Sequence, residues 1–127
     1  MAQELFEMTQ SLFKKIDQTE ECHRRIDDYG HAYQFEIDGQ SAFHIKLDYG
    51  KMQVIKGVCE DDHTKVSLVK TDSATLKGIL RGKIRPLNAS KEGKWVIRAR
   101  RYSGELLYTL LRIGREITIE ELLAAQE

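Results

Sequence analysis

Leu80-Arg81-Gly82-Lys83-Ile84-Arg85-Pro86-Leu87-Asn88-Ala89-Ser90-Lys91-Glu92-Gly93-Lys94-Trp95-Val96-Ile97 packs a helix stop, a helix start and a second stop into one short stretch. Gly82 suits the end of one helix, because it accepts the left-handed backbone that closes a last turn. Pro86, the single proline, suits the first turn of the next, where a missing N–H costs nothing. Gly93 then ends that short helix and turns the chain into Trp95-Val96-Ile97, an alternating strand. Two helices bent in this way cover a sheet imperfectly, which leaves room for a cavity beneath them.

Upstream of this stretch, Thr71-Asp72-Ser73 offers N-cap oxygens for a helix bearing Leu76, Ile79 and Leu80. Before it, Val66, Leu68 and Val69 read as a strand. The connection from that strand to Trp95 is long enough to return to a parallel neighbour. Earlier still, Tyr33, Phe35 and Ile37 alternate with polar residues, as do Phe43, Ile45 and Leu47. Asp38-Gly39 and Tyr49-Gly50 punctuate them as turns. Met52, Val54, Ile55 and Val58 give a third, less regular strand. These three form an antiparallel meander with one apolar face. His44, between Phe43 and Ile45, belongs to the opposite, wetter face.

At the start, Leu5, Phe6, Met8, Leu12, Phe13 and Ile16 recur at helical spacing, predicting one helix over residues 4 to 25 that Gly30 terminates. At the end, Ser103 can cap a helix with Leu106, Leu107, Leu110, Leu111 and Ile113. Gly114 stops it, and Thr118-Ile119-Glu120-Glu121 has capping-box spacing for a further helix. The reading is α/β (α+β): one domain over residues 1–127, with a five-stranded, mostly antiparallel mixed sheet covered on one face by helices.

The 80–97 segment resembles the sterol carrier protein 2 family. In that family Gly-Lys is followed by Pro and Ala at three-residue steps, then by Gly-Lys opening an alternating strand. Here the matching positions are Gly82, Lys83, Pro86, Ala89, Gly93 and Lys94. Asp72 to Leu76 resembles the family's entry into the preceding helix, and the likeness extends more loosely from Tyr33 to Leu111. The resemblance implies a non-enzymatic carrier that encloses a fatty acid, fatty acyl-CoA, sterol or phospholipid in a hydrophobic tunnel between helices and sheet. Candidate lining residues are Leu76, Ile79, Leu80, Ile84, Leu87, Trp95, Ile97, Leu106, Leu107 and Leu110. Plain core packing is the competing reading for each of them.

The chain has zero formal net charge, but its halves differ. Residues 1–62 hold 7 Lys and Arg against 13 Asp and Glu, a balance of −6 that residues 63–127 reverse. Lys94, Arg98, Arg100, Arg101, Arg112 and Arg115 concentrate positive charge. Arg98, Arg100 and Arg101 are the candidate contacts for a carboxylate, phosphate or anionic head group. The alternative is a solvated face. A near-neutral pI of about 6.9 without interleaved aromatics argues against nucleic acid.

His23, His31, His44 and His63 form no metal pattern, and Glu60-Asp61-Asp62-His63 reads as a solvated loop. No phosphate loop, nucleophile elbow or zinc spacing is found, so no catalytic residue, metal or cofactor is assigned. Cys22 and Cys59 read as free thiols. The amino-terminal stretch lacks a secretory pattern and the sequence closes without Ser-Lys-Leu, so a cytoplasmic location is expected. The expected partners are a lipid or acyl-CoA, with transient contact to a membrane surface. A second copy is the alternative, in which a filled module dimerises through its leucine-rich last helices. Service as an accessory to an acyl-CoA or lipid-metabolising enzyme is a further reading.

Overall fold

The computed structural model describes residues 2–60, 65–99 and 101–126. In chain order these form α1 (Ala2–Asp17), α2 (Glu20–Ile26), β1 (Gly30–Ile37), β2 (Gln40–Asp48), β3 (Lys51–Lys56), β4 (Val66–Thr71), α3 (Ser73–Leu80), α4 (Pro86–Lys91), β5 (Trp95–Arg98) and α5 (Arg101–Ala125). The sheet order is β3-β2-β1-β4-β5. Every neighbouring pair is antiparallel except β1 and β4.

The mixed sheet is as expected, but its parallel pair is not β4 with β5. The two helices between those strands reverse the chain, so β5 returns antiparallel, with Val69 opposite Ile97. The parallel neighbour is reached earlier, when the chain leaves edge strand β3 and arrives beside β1. The start of that connection passes over the sheet face away from the helices. Gln34 pins it there: its Nε2 donates to the carbonyls of Phe43 and Gly57, and its Oε1 accepts from the Cys59 amide at 2.7 Å. His44 Nδ1 lies 3.1 Å from the Gly57 carbonyl oxygen. His44 is therefore buried rather than on a wet face. Val58 lies past the end of β3 and is exposed.

The meander forms where the turn chemistry places it. Asp38 and Gly39 both take positive φ, as the tight hairpin turn requires. Strand alternation then sends Tyr33, Phe35, Phe43, Ile45 and Leu47 towards the helices, where all are buried. Phe35 stacks on Phe43 at 5.0 Å between ring centroids, and Trp95 meets Phe35 edge-on.

The first helix is two helices. Thr19 takes extended backbone and its hydroxyl accepts from the Cys22 amide at 3.2 Å, so α2 starts with its own cap and with Glu20 and Glu21 in its first turn. The opposite correction applies at the end. Gly114 does not stop the last helix; α5 runs unbroken for 25 residues, about 38 Å. A Cβ at Gly114 would lie only 3.0 Å from Ile16 Cδ1 and 3.1 Å from Leu12 Cδ2, so this glycine lets α1 press against α5. Thr118 is not a cap either. Its hydroxyl donates back to the Gly114 carbonyl at 3.0 Å inside the helix.

Candidate functional site

The helix–sheet interface is packed. Tyr33, Phe43, Leu107 and Leu110 are each 0% exposed, so no water-sized void adjoins them. Of the ten apolar candidates, Leu76, Ile79, Leu80, Trp95, Leu106, Leu107 and Leu110 lie in this buried core. Ile97 is half-buried at its margin on β5.

Two of these core residues, Ile79 and Leu80, together with half-buried Ile84 and exposed Leu87, line two clefts in the helical layer. One, about 540 Å³, lies between α1, the α3–α4 turn and α5, and Leu80 lines it with Met8, Leu12 and Leu122. The second, about 530 Å³, lies between α3, α4 and α5, and brings together Ile79, Ile84 and Leu87 with Tyr108 and Leu111. The stretch around Ile84 and Pro86 thus builds one side of the second cleft. Asp72 starts α3: its Oδ1 accepts from the Thr75 amide at 2.8 Å. Gly78 then lets the following turn lie flat, since a Cβ there would sit 2.3 Å from Ile84 Cδ1. The amides of Lys83 and Ile84 both donate to the Gly78 carbonyl, which holds Ile84 over the notch. Pro86 launches α4 so that Leu87 stands at the rim, 60% exposed.

The cations at this cleft are Arg85, Arg112 and Arg115. Arg112 is engaged, lying 2.7 Å from Glu116 and also paired with Glu21, whose hydrogen bond raises its pKa further. Arg115 is half-buried, and its Nε has no hydrogen-bond partner. That Nε is itself buried, so it is the rest of the guanidinium that can face the cleft. The sequence candidates sit elsewhere. Arg98 pairs with Leu68 in register, one residue out of phase with Ile97 and Val69, which puts it on the sheet face away from this cleft. Arg101 begins α5, and Arg100 lies outside the described residues. Arg85 was legible only as part of the motif, because nothing in its spacing to Arg115 foretells that the start of α4 and the middle of α5 line one cleft.

A buried polar chain also escaped the sequence reading. His31 Nε2 is 2.6 Å from Ser67 Oγ, Ser67 Oγ is 3.2 Å from Ser103 Oγ, and the Tyr33 hydroxyl donates to the Ser103 carbonyl at 2.6 Å. Burial pushes the Tyr33 phenol far above its ordinary pKa, with Tyr29 and Tyr102 adding to it. Ser67 is 1% exposed, so the pair ties α5 to β1 and β4 rather than facing a substrate. Cys22, also buried, has its thiol pushed up to about 11 by desolvation, aided by Asp17 and Asp27. Among the described residues no group of three His, Cys, Asp or Glu is placed to hold a metal ion. Residues 61–63 of the acidic loop lie outside the described residues. Among those residues, no helix is long and apolar enough to cross a membrane.

No protein-family model and no curated protein matches the sequence. Solved structures do. The sterol carrier protein domain 2 of Helicoverpa armigera matches with a TM-score of 0.66 at 18% identity, over 87% of this chain and 85% of that one. A protein described as UbiJ-SCP2, a ubiquinone synthesis protein, matches at 0.64 and 12% identity, over 86% and 94%. Apo sterol carrier protein 2 from Yarrowia lipolytica matches at 0.54 and 11%, over 87% and 88%. The chain has the fold of the sterol carrier protein 2 domains.

Proposed function

We propose that the protein is a lipid-binding carrier domain that holds one amphiphilic chain in the α3–α4–α5 cleft. The observation that carries this reading is the cleft itself: an apolar floor of Ile79, Ile84, Tyr108 and Leu111 with Arg85 and Arg115 among its lining residues. Apolar burial of the tail supplies the affinity, at roughly 25 cal/mol per Å². Arg115 and Arg85 give the head group its direction, which favours a carboxylate or phosphate over an uncharged end. The sterol carrier fold supports a carrier role over a catalytic one, and the role requires no cofactor.

Fluorescence titration with dansyl-labelled undecanoic acid tests the reading. The wild type should saturate at one site. Thr109→Trp, a substitution at a half-buried position lining the cleft, should fill it and weaken binding at least about tenfold. Absence of uptake, or equal uptake by Thr109→Trp, overturns the assignment.

A second reading has its own support. Leu122 and Leu123, on the last turns of α5, are 58% and 57% exposed. As a docking surface for a second copy they would make the domain an interaction module. Light scattering should then show a dimer that Leu122→Ser/Leu123→Ser converts to a monomer; a wild-type monomer removes this reading.

A further inference from the structure

Residues 73–104 hold nine Lys and Arg and a single acid, Glu92, whereas the whole chain is neutral. The fold concentrates part of this charge. From Arg81 to Leu87 exposure alternates: Arg81, Lys83, Arg85 and Leu87 face solvent, while Gly82, Ile84 and Pro86 are half-buried. The stretch forms a ridge, with Arg81 and Lys83 on the first cleft and Arg85 and Leu87 on the second. Lys91 and Lys94 lie exposed just beyond, on and after α4.

These charges are free to act outward. Among the described residues, Lys83, Arg85 and Lys91 make no ion pair. The acids around the ridge have partners of their own: Glu116 pairs with Arg112 at 2.7 Å, Glu121 with Lys15 at 2.9 Å, Glu92 with Lys94 at 3.9 Å and Glu4 with Lys77 at 3.1 Å, while Glu7, on the first cleft, accepts from Gln3 Nε2 at 2.9 Å.

We propose that the Arg81–Leu87 ridge, with Lys91, is the surface through which the protein docks on an anionic phospholipid bilayer. Three features select a bilayer as the partner. The cations alternate with an inward apolar row, so they form one outward line that suits a flat negative surface. Leu87 stands among them as an exposed apolar tip able to enter the acyl boundary. Two apolar clefts open on either side, so a lipid leaving the bilayer meets apolar surface without crossing water. A nucleic acid would find no aromatic platform on this ridge. The inference rests on the carrier reading for its purpose, but not for its physics.

The test is co-sedimentation of the full chain with vesicles of phosphatidylcholine alone, and with about 30% phosphatidylserine added. Binding should need the anionic lipid and fall steeply with salt. Each cation near such a surface contributes roughly a fivefold gain, so Lys83→Glu/Lys91→Glu should weaken vesicle binding by at least about tenfold. Arg24→Glu/Arg25→Glu on α2 changes net charge equally at exposed positions and should leave binding nearly intact. Dansyl-undecanoate uptake by Lys83→Glu/Lys91→Glu, measured without vesicles, should match the wild type. Loss of vesicle binding by both charge-reversed pairs, or by neither, overturns the ridge assignment, as does binding to a single-stranded oligonucleotide in preference to vesicles. Uptake without vesicle binding sinks the docking surface and leaves the carrier standing. Vesicle binding without uptake does the reverse.

Discussion

Gly78→Ala tests whether the notch that seats Ile84 is real. In a plain helix interior the change gains up to about 1 kcal/mol of propensity. Here the new Cβ would lie 2.3 Å from Ile84 Cδ1 and 2.7 Å from Cγ1, so the isoleucine must leave its seat. Overpacking of this kind costs roughly 1–3 kcal/mol, which leaves a net loss of about 1 kcal/mol. Ile84→Ala alone removes a half-buried side chain and costs about 1–2 kcal/mol, less than a fully buried isoleucine would. The double variant carries the argument. Ile84 Cβ is 3.4 Å from the position of the new Cβ, so two alanines meet at ordinary contact distance and the clash vanishes. The double variant should therefore be at least as stable as Ile84→Ala, with a coupling of about 1–2 kcal/mol between the sites. Urea midpoints at constant m-value measure all four corners of the cycle. Stabilisation by Gly78→Ala, or additivity within about 0.5 kcal/mol, would falsify the seating of Ile84 and with it the floor of the cleft.

Three further outcomes follow from single contacts. Asp72→Ala removes the cap of α3 and should cost about 1 kcal/mol in urea unfolding, while Asp72→Asn retains most of it. Tyr33→Phe deletes a buried hydroxyl that donates to the Ser103 carbonyl, so a loss of about 1 kcal/mol is expected, and a neutral result would mean that this bond adds nothing to the hold of α5 on the sheet. His23 has Nε2 at 2.6 Å from the Asp17 carbonyl and Nδ1 at 3.3 Å from Asp27, and these hydrogen bonds, the backbone one foremost, raise its pKa. The stability it confers is full below the unfolded value near ~6.5 and fades as pH rises through the higher folded value, so the gap between wild type and His23→Gln should be wider at about pH 5.5 than at about pH 8.5.

The fold was legible where local chemistry and period agree. Asp38-Gly39 could only turn, the strands around it alternate cleanly, and Gly82, Pro86 and Gly93 mark the ends of α3 and α4. It was illegible where a residue answers to a distant partner. Gly114 carries a stop signal in sequence, yet α1 lies across it, and packing against Ile16 and Leu12 outweighs the local preference for an end. Thr19 gave no visible break, because a threonine cap needs the structure to show that its backbone is extended. The same division governs the site. The motif located α3 and α4, but which arginines they bring to α5 depends on the angle at which α4 returns. The apolar residues could not announce which of them would be core, since Leu107 and Leu87 look alike until the packing of α5 buries one and the placement of α4 leaves the other in solvent.

Where the ligand lies decides how affinity should grow with chain length. A sealed tunnel between helices and sheet would bury each methylene fully, worth about 0.8 kcal/mol, or roughly a fourfold gain in affinity per carbon. The packed interface offers no such channel beside Tyr33, Phe43, Leu107 and Leu110. An open cleft covers about half of each methylene, which halves the increment to about 0.4 kcal/mol and the gain to roughly twofold. Isothermal titration of saturated fatty acids of increasing length, kept below micelle formation, reads this slope directly. A twofold slope that Thr109→Trp abolishes places the tail against Leu111 and Ile84. A fourfold slope indifferent to Thr109→Trp means the helical layer parts from the sheet to admit the chain, and the cleft reading is then refuted even though the protein binds lipid.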